Sequence, residues 1–172
     1  VESTDGTFQS LPGDPGDGSN PSCAIVDEYH EHKTSTGYDA LYQGMGARTQ
    51  PMLWIITTAG YNRAGPCYQL RAYGEKVVLG QVQDDSLLAI IYSPDPEDDY
   101  REPRTWAKAN PGLGSSVSYQ SIADACRIAE HSPSKRTVFL TKRCNIWVSV
   151  GQAWFDVRHW DRVAEPALGI EQ

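Results

Sequence analysis

Three short apolar runs interrupt an otherwise polar, glycine-broken chain: "CAIV" at residues 23–26, "MLWII" at 52–56 and "SLLAII" at 86–91. Each is too short for a helix and none alternates apolar with polar. That pattern predicts strands buried on both faces. Between the first two runs, "YDALYQGMGAR" places Tyr38, Leu41, Tyr42 and Met45 at i, i+3, i+4 and i+7, a helical stripe ending near Gly44 or Gly46. Between the second and third, "PCYQLRAYGEKVVLG" predicts an amphipathic helix that stops at Gly80. Strand, helix, strand, helix, strand predicts an α/β fold, a parallel sheet flanked by helices. Ligands on such sheets bind beyond the carboxyl ends of the strands. Asp27 and Glu28 close the first run, and Thr57 and Thr58 close the second, so both pairs are expected on one rim.

The flanks read differently. Residues 1–22, with "LPGDPGDGSNP", are a loop. After Tyr92, "PDPEDDYREP" concentrates acids and prolines and predicts a hinge over 95–102 that ends the α/β core of residues 23–94. Residues 103–172 then predict a small, mostly helical subdomain. Its helices fall in "EPRTWAKAN", with Pro103 in the first turn, in "SYQSIADACRIAEH", where Ile122, Cys126 and Ala129 share a face, in "SPSKRTVFLTKRCNIWV", and in "WFDVRHWDRVA".

Composition changes this picture little. The chain has 172 residues, of which 40% are hydrophobic and 22% charged, as in globular domains. No apolar stretch approaches the length of a membrane-spanning helix. The first residues, "VESTDGTFQS", have neither the basic nor the apolar region of a signal peptide, and the absence of Met leads us to expect a chain cut from a longer one. Cys23, Cys67, Cys126 and Cys144 are widely spaced and read as reduced thiols. The net charge of −7 is uneven: residues 1–102 carry 16 acids against 6 lysines and arginines, whereas residues 103–163 carry 4 against 9. The basic segment leaves room for a phosphate backbone, although a solvated helical face is the plainer alternative.

An apolar strand ending in Asp-Glu is the Walker B pattern of P-loop NTPases. There the Asp holds Mg²⁺ and the Glu orients and deprotonates the water that attacks the γ-phosphate. Such a tetrad also recurs by chance. His30 and His32 follow closely, so a metal-dependent hydrolase centred on Asp27, Glu28, His30 and His32 is a rival reading. However, "HEH" is not a zinc-protease motif and no third ligand has fitting spacing, so polar loop residues that position the rim are the simpler reading. Arg48 is an arginine-finger candidate, with a cation at a helix C-terminus the simpler alternative.

The longer segment "DGSNPSCAIVDEYHEHKTSTGYDALYQGMGARTQPMLWIITTAGYN" closely resembles the large terminase subunit of tailed bacteriophages. The resemblance continues through "KVVLG", "DDSLLAIIYSPDPEDDY", "WAKANPGLGSSVS", "TKRCNIWVS" and "AWFD". It implies the second half of a P-loop ATPase core followed by a linker subdomain. Asp27 would be the Mg²⁺-associated acid and Glu28 the catalytic acid. Thr57, Thr58 and Gly60, in "ITTAG", would form the coupling motif that senses the γ-phosphate. The resemblance further implies ATP and Mg²⁺ as cofactors. It implies double-stranded DNA, a portal protein, a small terminase subunit and a homo-oligomeric ring as partners, with no membrane. The location it implies is the host cytoplasm, docked transiently at the procapsid and absent from the mature virion. No phosphate loop ending in Gly-Lys-Ser or Gly-Lys-Thr occurs in the sequence. The resemblance places that loop upstream, and the acids of an endonuclease beyond Gln172, so the 172-residue chain is expected to be inactive alone. An inert remnant or interaction module is the non-enzymatic alternative.

Overall fold

The computed structural model describes residues 6–12 and 18–149. Strands β1 (Cys23–Asp27) and β2 (Met52–Ile56) pair in parallel, with Cys23 opposite Met52 and Asp27 opposite Ile56. The connection between them carries a 3₁₀ turn at Tyr29–Glu31, helix α1 (Thr36–Gly44) and a second 3₁₀ turn at Met45–Ala47. Parallel strands need such a crossover because a tight turn cannot reverse the chain. Leu41 and Met45, from the expected stripe, are buried. Helix α1 ends where expected, and its last residue has a steric reason to be glycine: a Cβ on Gly44 would collide with the carbonyl oxygen of Ser19.

Both strands form, but their surroundings correct the expectation of strands buried on both faces. Ile25, Met52, Trp54 and Ile56 are each more than half exposed, whereas Val26 is buried. Side chains alternate along a strand, so Ile25, Met52, Trp54 and Ile56 share one face and Val26 lies on the other. The third expected strand is a second correction. Residues 86–93 pair with no strand among the described residues, and Leu88 and Ile90 are 82% and 67% exposed. A strand exists only through ladder partners, and among the described residues the sheet has two strands.

Helix α2 (Pro66–Val78) starts on proline and stops before Gly80, whose φ of 69° is the left-handed stop the sequence predicts. The remaining helices are α3 (Pro103–Ala109), α4 (Tyr119–His131) and α5 (Pro133–Lys142). The Ser118 hydroxyl caps α4 by accepting the Ser121 N–H at 3.3 Å. Only Ser132 separates α4 from α5. The residue before a proline is driven out of the helical region, and Ser132 accordingly sits at φ −141°, ψ 111°. The expected helix through 148 therefore ends earlier, at Lys142.

By contacts the chain divides into two units. One comprises 1–57 with 65–67, and the other 58–64 with 68–172. The second holds a core of Tyr100, Trp106, Ile122, Cys126, Ala129, Phe139 and Cys144. Ile122, Cys126 and Ala129 occupy one face of α4, as their spacing predicts. The Trp106 indole N–H donates to the Tyr100 carbonyl at 2.7 Å, so the largest core side chain is also satisfied. The acidic run folds against α3: Lys108 pairs with both Asp95 and Asp98, and the Thr105 hydroxyl donates to the Asp99 carbonyl at 2.6 Å. Lys108 holds the Asp98 carboxyl below the usual range. The expected helix in "WFDVRHWDRVA" lies outside the described residues.

Burial pushes the Cys144 thiol up to about 12, and it raises Cys126 as well. Cys67 is also buried and Cys23 is exposed. A thiol alkylates as its thiolate, so a water-soluble alkylating agent at about pH 8 should modify Cys23 in the folded chain and reach Cys126 and Cys144 only after denaturation. Peptide mass spectrometry reads this directly, and rapid native labelling of Cys144 would contradict the packing of α4 on α5.

Candidate functional site

Because Asp27 pairs with Ile56 in a parallel register, the next residues of both strands, Glu28 and Thr57, leave the sheet at the same edge. The exit from β1 is unusual. Glu28 has φ 49° and ψ 44°, a left-handed conformation that costs a non-glycine residue about 1–2 kcal/mol. Its backbone N–H donates to Asp27 Oδ1 at 2.9 Å, which fixes one carboxylate oxygen of Asp27. The left-handed step turns the chain into the 3₁₀ turn Tyr29–Glu31, and this brings His30 back over the end of β2. The His30 N–H donates to Thr57 Oγ1 at 3.0 Å, and His30 Nδ1 lies 2.9 Å from the same oxygen. Strain of this kind, held by surrounding bonds, gathers at functional sites.

The site residues anticipated from sequence separate into two groups. Asp27, Glu28 and Thr57 belong to the first unit and share the strand-end rim. Asp27 and Glu28 are exposed there. Asp27 also borders an open groove of about 660 Å³ lined by His32, Tyr38 and Leu41 among others. Thr58 and Gly60 belong to the second unit. Lys142 Nζ donates to Thr58 Oγ1 at 3.3 Å, and the Gly60 carbonyl accepts the Val148 N–H at 3.3 Å.

The two histidines diverge. His30 is buried, with Glu28 and Glu31 on opposite ring nitrogens. His32 packs edge-on against Tyr29 at 5.3 Å. Two carboxylates on opposite sides of one imidazole cannot share an ion with it. Among the described residues no three His, Cys, Asp or Glu side chains gather as a metal site. The rival hydrolase grouping therefore finds no support in this geometry. Arg48 donates from Nε to the Asn20 carbonyl at 3.0 Å, and its Nη2 reaches the same oxygen. It ties the loop before β1 to the end of the crossover.

Sequence reasoning missed Asn145. Its Oδ1 accepts the Ala59 N–H at 2.7 Å and its Nδ2 donates to the Tyr92 carbonyl at 2.7 Å. It holds φ 54°, which asparagine tolerates better than most residues. Tyr61 and Arg63 add bonds to Thr141 and to the Trp147 carbonyl, so the segment after β2 is fastened to the end of α5 and the residues beyond it. "TKRCNIWVS" carries no periodicity that separates a clamp from a loop, and only its recurrence in the resemblance marked it.

Residues 2–76 match the family model described as "Terminase large subunit, ATPase domain", and residues 81–171 match "Terminase large subunit, endonuclease domain". The second match takes in over half of the chain, and the chain belongs to the terminase large subunit family. The endonuclease match begins within the segment that the sequence assigns to the end of the ATPase core and the linker. Among individual relatives, Protein YmfN of Escherichia coli (strain K12) is 44% identical over 157 residues, covering 91% of this chain and 34% of that protein. The terminase large subunit of Enterobacteria phage HK97 is 25% identical over 158 residues, covering 91% of this chain and 30% of that protein. The chain thus spans about a third of the length of these curated relatives. The crystal structure of the HK97 bacteriophage large terminase superposes with a TM-score of 0.64 at 24% identity, over 83% of this chain and 27% of that one. That likeness shows a shared fold, and it agrees with the α/β reading.

Asn145 supplies a direct test of the clamp. Asn145→Ala removes both hydrogen bonds and leaves a β-carbon residue at positive φ, and should cost about 2–4 kcal/mol. Asn145→Gly loses the bonds but not the conformational fit, and should cost about 1–2 kcal/mol. Urea unfolding followed by tryptophan fluorescence would measure both. An alanine variant as stable as the parent removes the clamp.

Proposed function

We propose that this chain is part of an ATP-driven DNA-packaging motor, and that Asp27, Glu28 and Thr57 form the hydrolytic rim of its ATPase. The observation that carries the reading is the parallel register that ends β1 in Asp27-Glu28 and sets Thr57 beside them. Family membership supports this class of activity, and the left-handed Glu28 supports a functional strand end.

The residues fit Mg²⁺ and nucleotide in kind. Mg²⁺ takes oxygen ligands and keeps several of its waters, and it usually binds through one or two carboxylates and phosphate oxygens. Asp27 is an exposed carboxylate with one oxygen fixed by a backbone bond. When bound, Mg²⁺-nucleotide supplies the phosphoryl group to be transferred. Asp27 would hold the metal directly or through water. Glu28 orients the attacking water and takes its proton. Thr57, and Thr58 beyond it, carry hydroxyls that can gain or lose a bond as the γ-phosphate leaves. The sequence carries no phosphate-loop motif ending in Gly-Lys-Ser or Gly-Lys-Thr, and turnover is proposed for the full-length protein. Endonuclease activity is likewise proposed only for the full-length protein. Double-stranded DNA, the portal, the small terminase subunit and a homo-oligomeric ring are its proposed partners, and the host cytoplasm at the procapsid is its proposed place of action.

In the full-length protein, Glu28→Gln should abolish ATP turnover, by at least about 10²-fold, while nucleotide binding persists. Asp27→Asn should also weaken Mg²⁺-dependent nucleotide binding. Phosphate release and nucleotide titration separate the two, and near-normal turnover in Glu28→Gln would remove Glu28 from this role.

A second prediction concerns coupling. Thr57→Val and Thr58→Val keep the branched shape and delete only the hydroxyl. Each should lower the length of DNA moved per ATP consumed more than it lowers thermal stability. If both variants package DNA at the parental ratio, the coupling assignment is wrong.

A further inference from the structure

We propose that His30 is a positioning residue that ties the Glu28 carboxylate to the Thr57 hydroxyl, so that one ring nitrogen links the water-activating acid to the coupling strand end. The inference rests on the ATPase reading above and assigns a role to a group which that reading leaves unused.

The His30 side chain is 2% exposed, beside Glu28 and Glu31 side chains that are 58% and 69% exposed. A buried imidazole among exposed rim residues has given up its hydration, and its polar atoms have been met within the protein. Nδ1 lies 2.9 Å from Thr57 Oγ1 and 3.1 Å from Glu28 Oε2. Nε2 lies 2.9 Å from Glu31 Oε1. A carboxylate only accepts hydrogen bonds, so the ring reaches Glu28 only through an Nδ1–H donor, and it meets Glu28 and Glu31 together only when both nitrogens carry a proton. The backbone anchors the residue at the same oxygen, because the His30 N–H donates to Thr57 Oγ1 at 3.0 Å.

Nδ1 is therefore held still between two partners. An imidazole nitrogen has a single in-plane direction for hydrogen bonding, so Glu28 and Thr57 compete for it. When the Nδ1–H donates to Thr57 Oγ1, Glu28 is released toward water. When Thr57 turns toward another partner, the Nδ1–H donates to Glu28 instead. His30 thereby makes the position of the catalytic acid depend on what Thr57 contacts, without itself touching substrate.

The two amides that resemble parts of histidine separate this from a packing role. Asn places its terminal amide where Nδ1 stands, and Gln places its amide where Nε2 stands. In the full-length protein, His30→Gln should lower kcat for ATP roughly 10- to 100-fold with KM for ATP little changed, because misplacing a catalytic group costs rate before it costs binding. His30→Asn should recover most of that loss. In a Thr57→Val background His30→Gln should add little further loss, since the two changes break one link. The proposal is overturned if Asn and Gln behave alike, if the loss appears in KM, or if the His30 and Thr57 effects multiply. Glu28→Gln is the control arm. If it loses turnover while both His30 variants run at the parental rate, the positioning role fails and the ATPase reading stands. If Glu28→Gln hydrolyses ATP normally, the ATPase reading fails and takes this proposal with it.

Discussion

The parallel pairing of β1 with β2 is the constraint on which the candidate site depends. A parallel pair delivers both carboxyl ends to the same edge, which an antiparallel hairpin cannot do. With Asp27 opposite Ile56, the register fixes which residues meet there. A shift of one residue would turn Val26 outward and carry Asp27 to the opposite face. The turn beyond β1 matters as much as the strand itself. The left-handed Glu28 stops β1 from running on, and the 3₁₀ turn behind it folds His30 onto Thr57. The strain at Glu28 is offset by bonds that its neighbours make only because the chain turns there, namely Glu28 N–H to Asp27 and His30 N–H to Thr57.

Much of this was legible in the sequence, and the failures have a common physical origin. The helices were readable because their signals are local: the 3.6-residue stripe of α4, proline at the starts of α2, α3 and α5, and glycine after α2. The strand ends Asp27-Glu28 and Thr57 were readable because polar residues terminate apolar runs. Strand status and burial were misjudged where they depend on distant partners. "SLLAIIYS" has the composition of β1 and β2, yet among the described residues its backbone finds no ladder, and composition carries no information on pairing. The same limit applies to Ile25, Met52, Trp54 and Ile56, whose exposure is set by what covers the sheet and not by their own hydropathy. The bonds of His30 and Asn145 depend on two rare backbone conformations near 50° in φ, which residue type alone does not announce.

The segment after β2 shows how neighbouring hydroxyls can differ in mechanical setting. Thr57 closes one contact unit of the chain and Thr58 opens the other. Thr57 is bonded to His30, whereas Thr58 is bonded to Lys142, and Ala59 and Gly60 are bonded to Asn145 and Val148. Beyond the peptide bond that joins the two threonines, these fastenings come from the end of α5 and the extended residues after it. Those residues are themselves fixed by the core built on Ile122, Phe139 and Cys144. The packing of α4 on α5 thus bears on the placement of Thr58.

The open face of the sheet bears on how the rim keeps its geometry. Parallel sheets are ordinarily covered on both sides, and a two-stranded piece is marginal without such cover. Among the described residues, Val26 is buried on one face, while Ile25, Met52, Trp54 and Ile56 present a continuous apolar strip beside Asp27 on the other. An apolar strip of this kind is unfavourable in water and favours whatever buries it. Alternation along β1 puts the Asp27 side chain on that same face, one strand step beyond Ile25. Any surface that covers the strip also borders the Asp27 carboxylate. Burial of the strip and completion of the acidic rim are therefore linked by the geometry of a single strand.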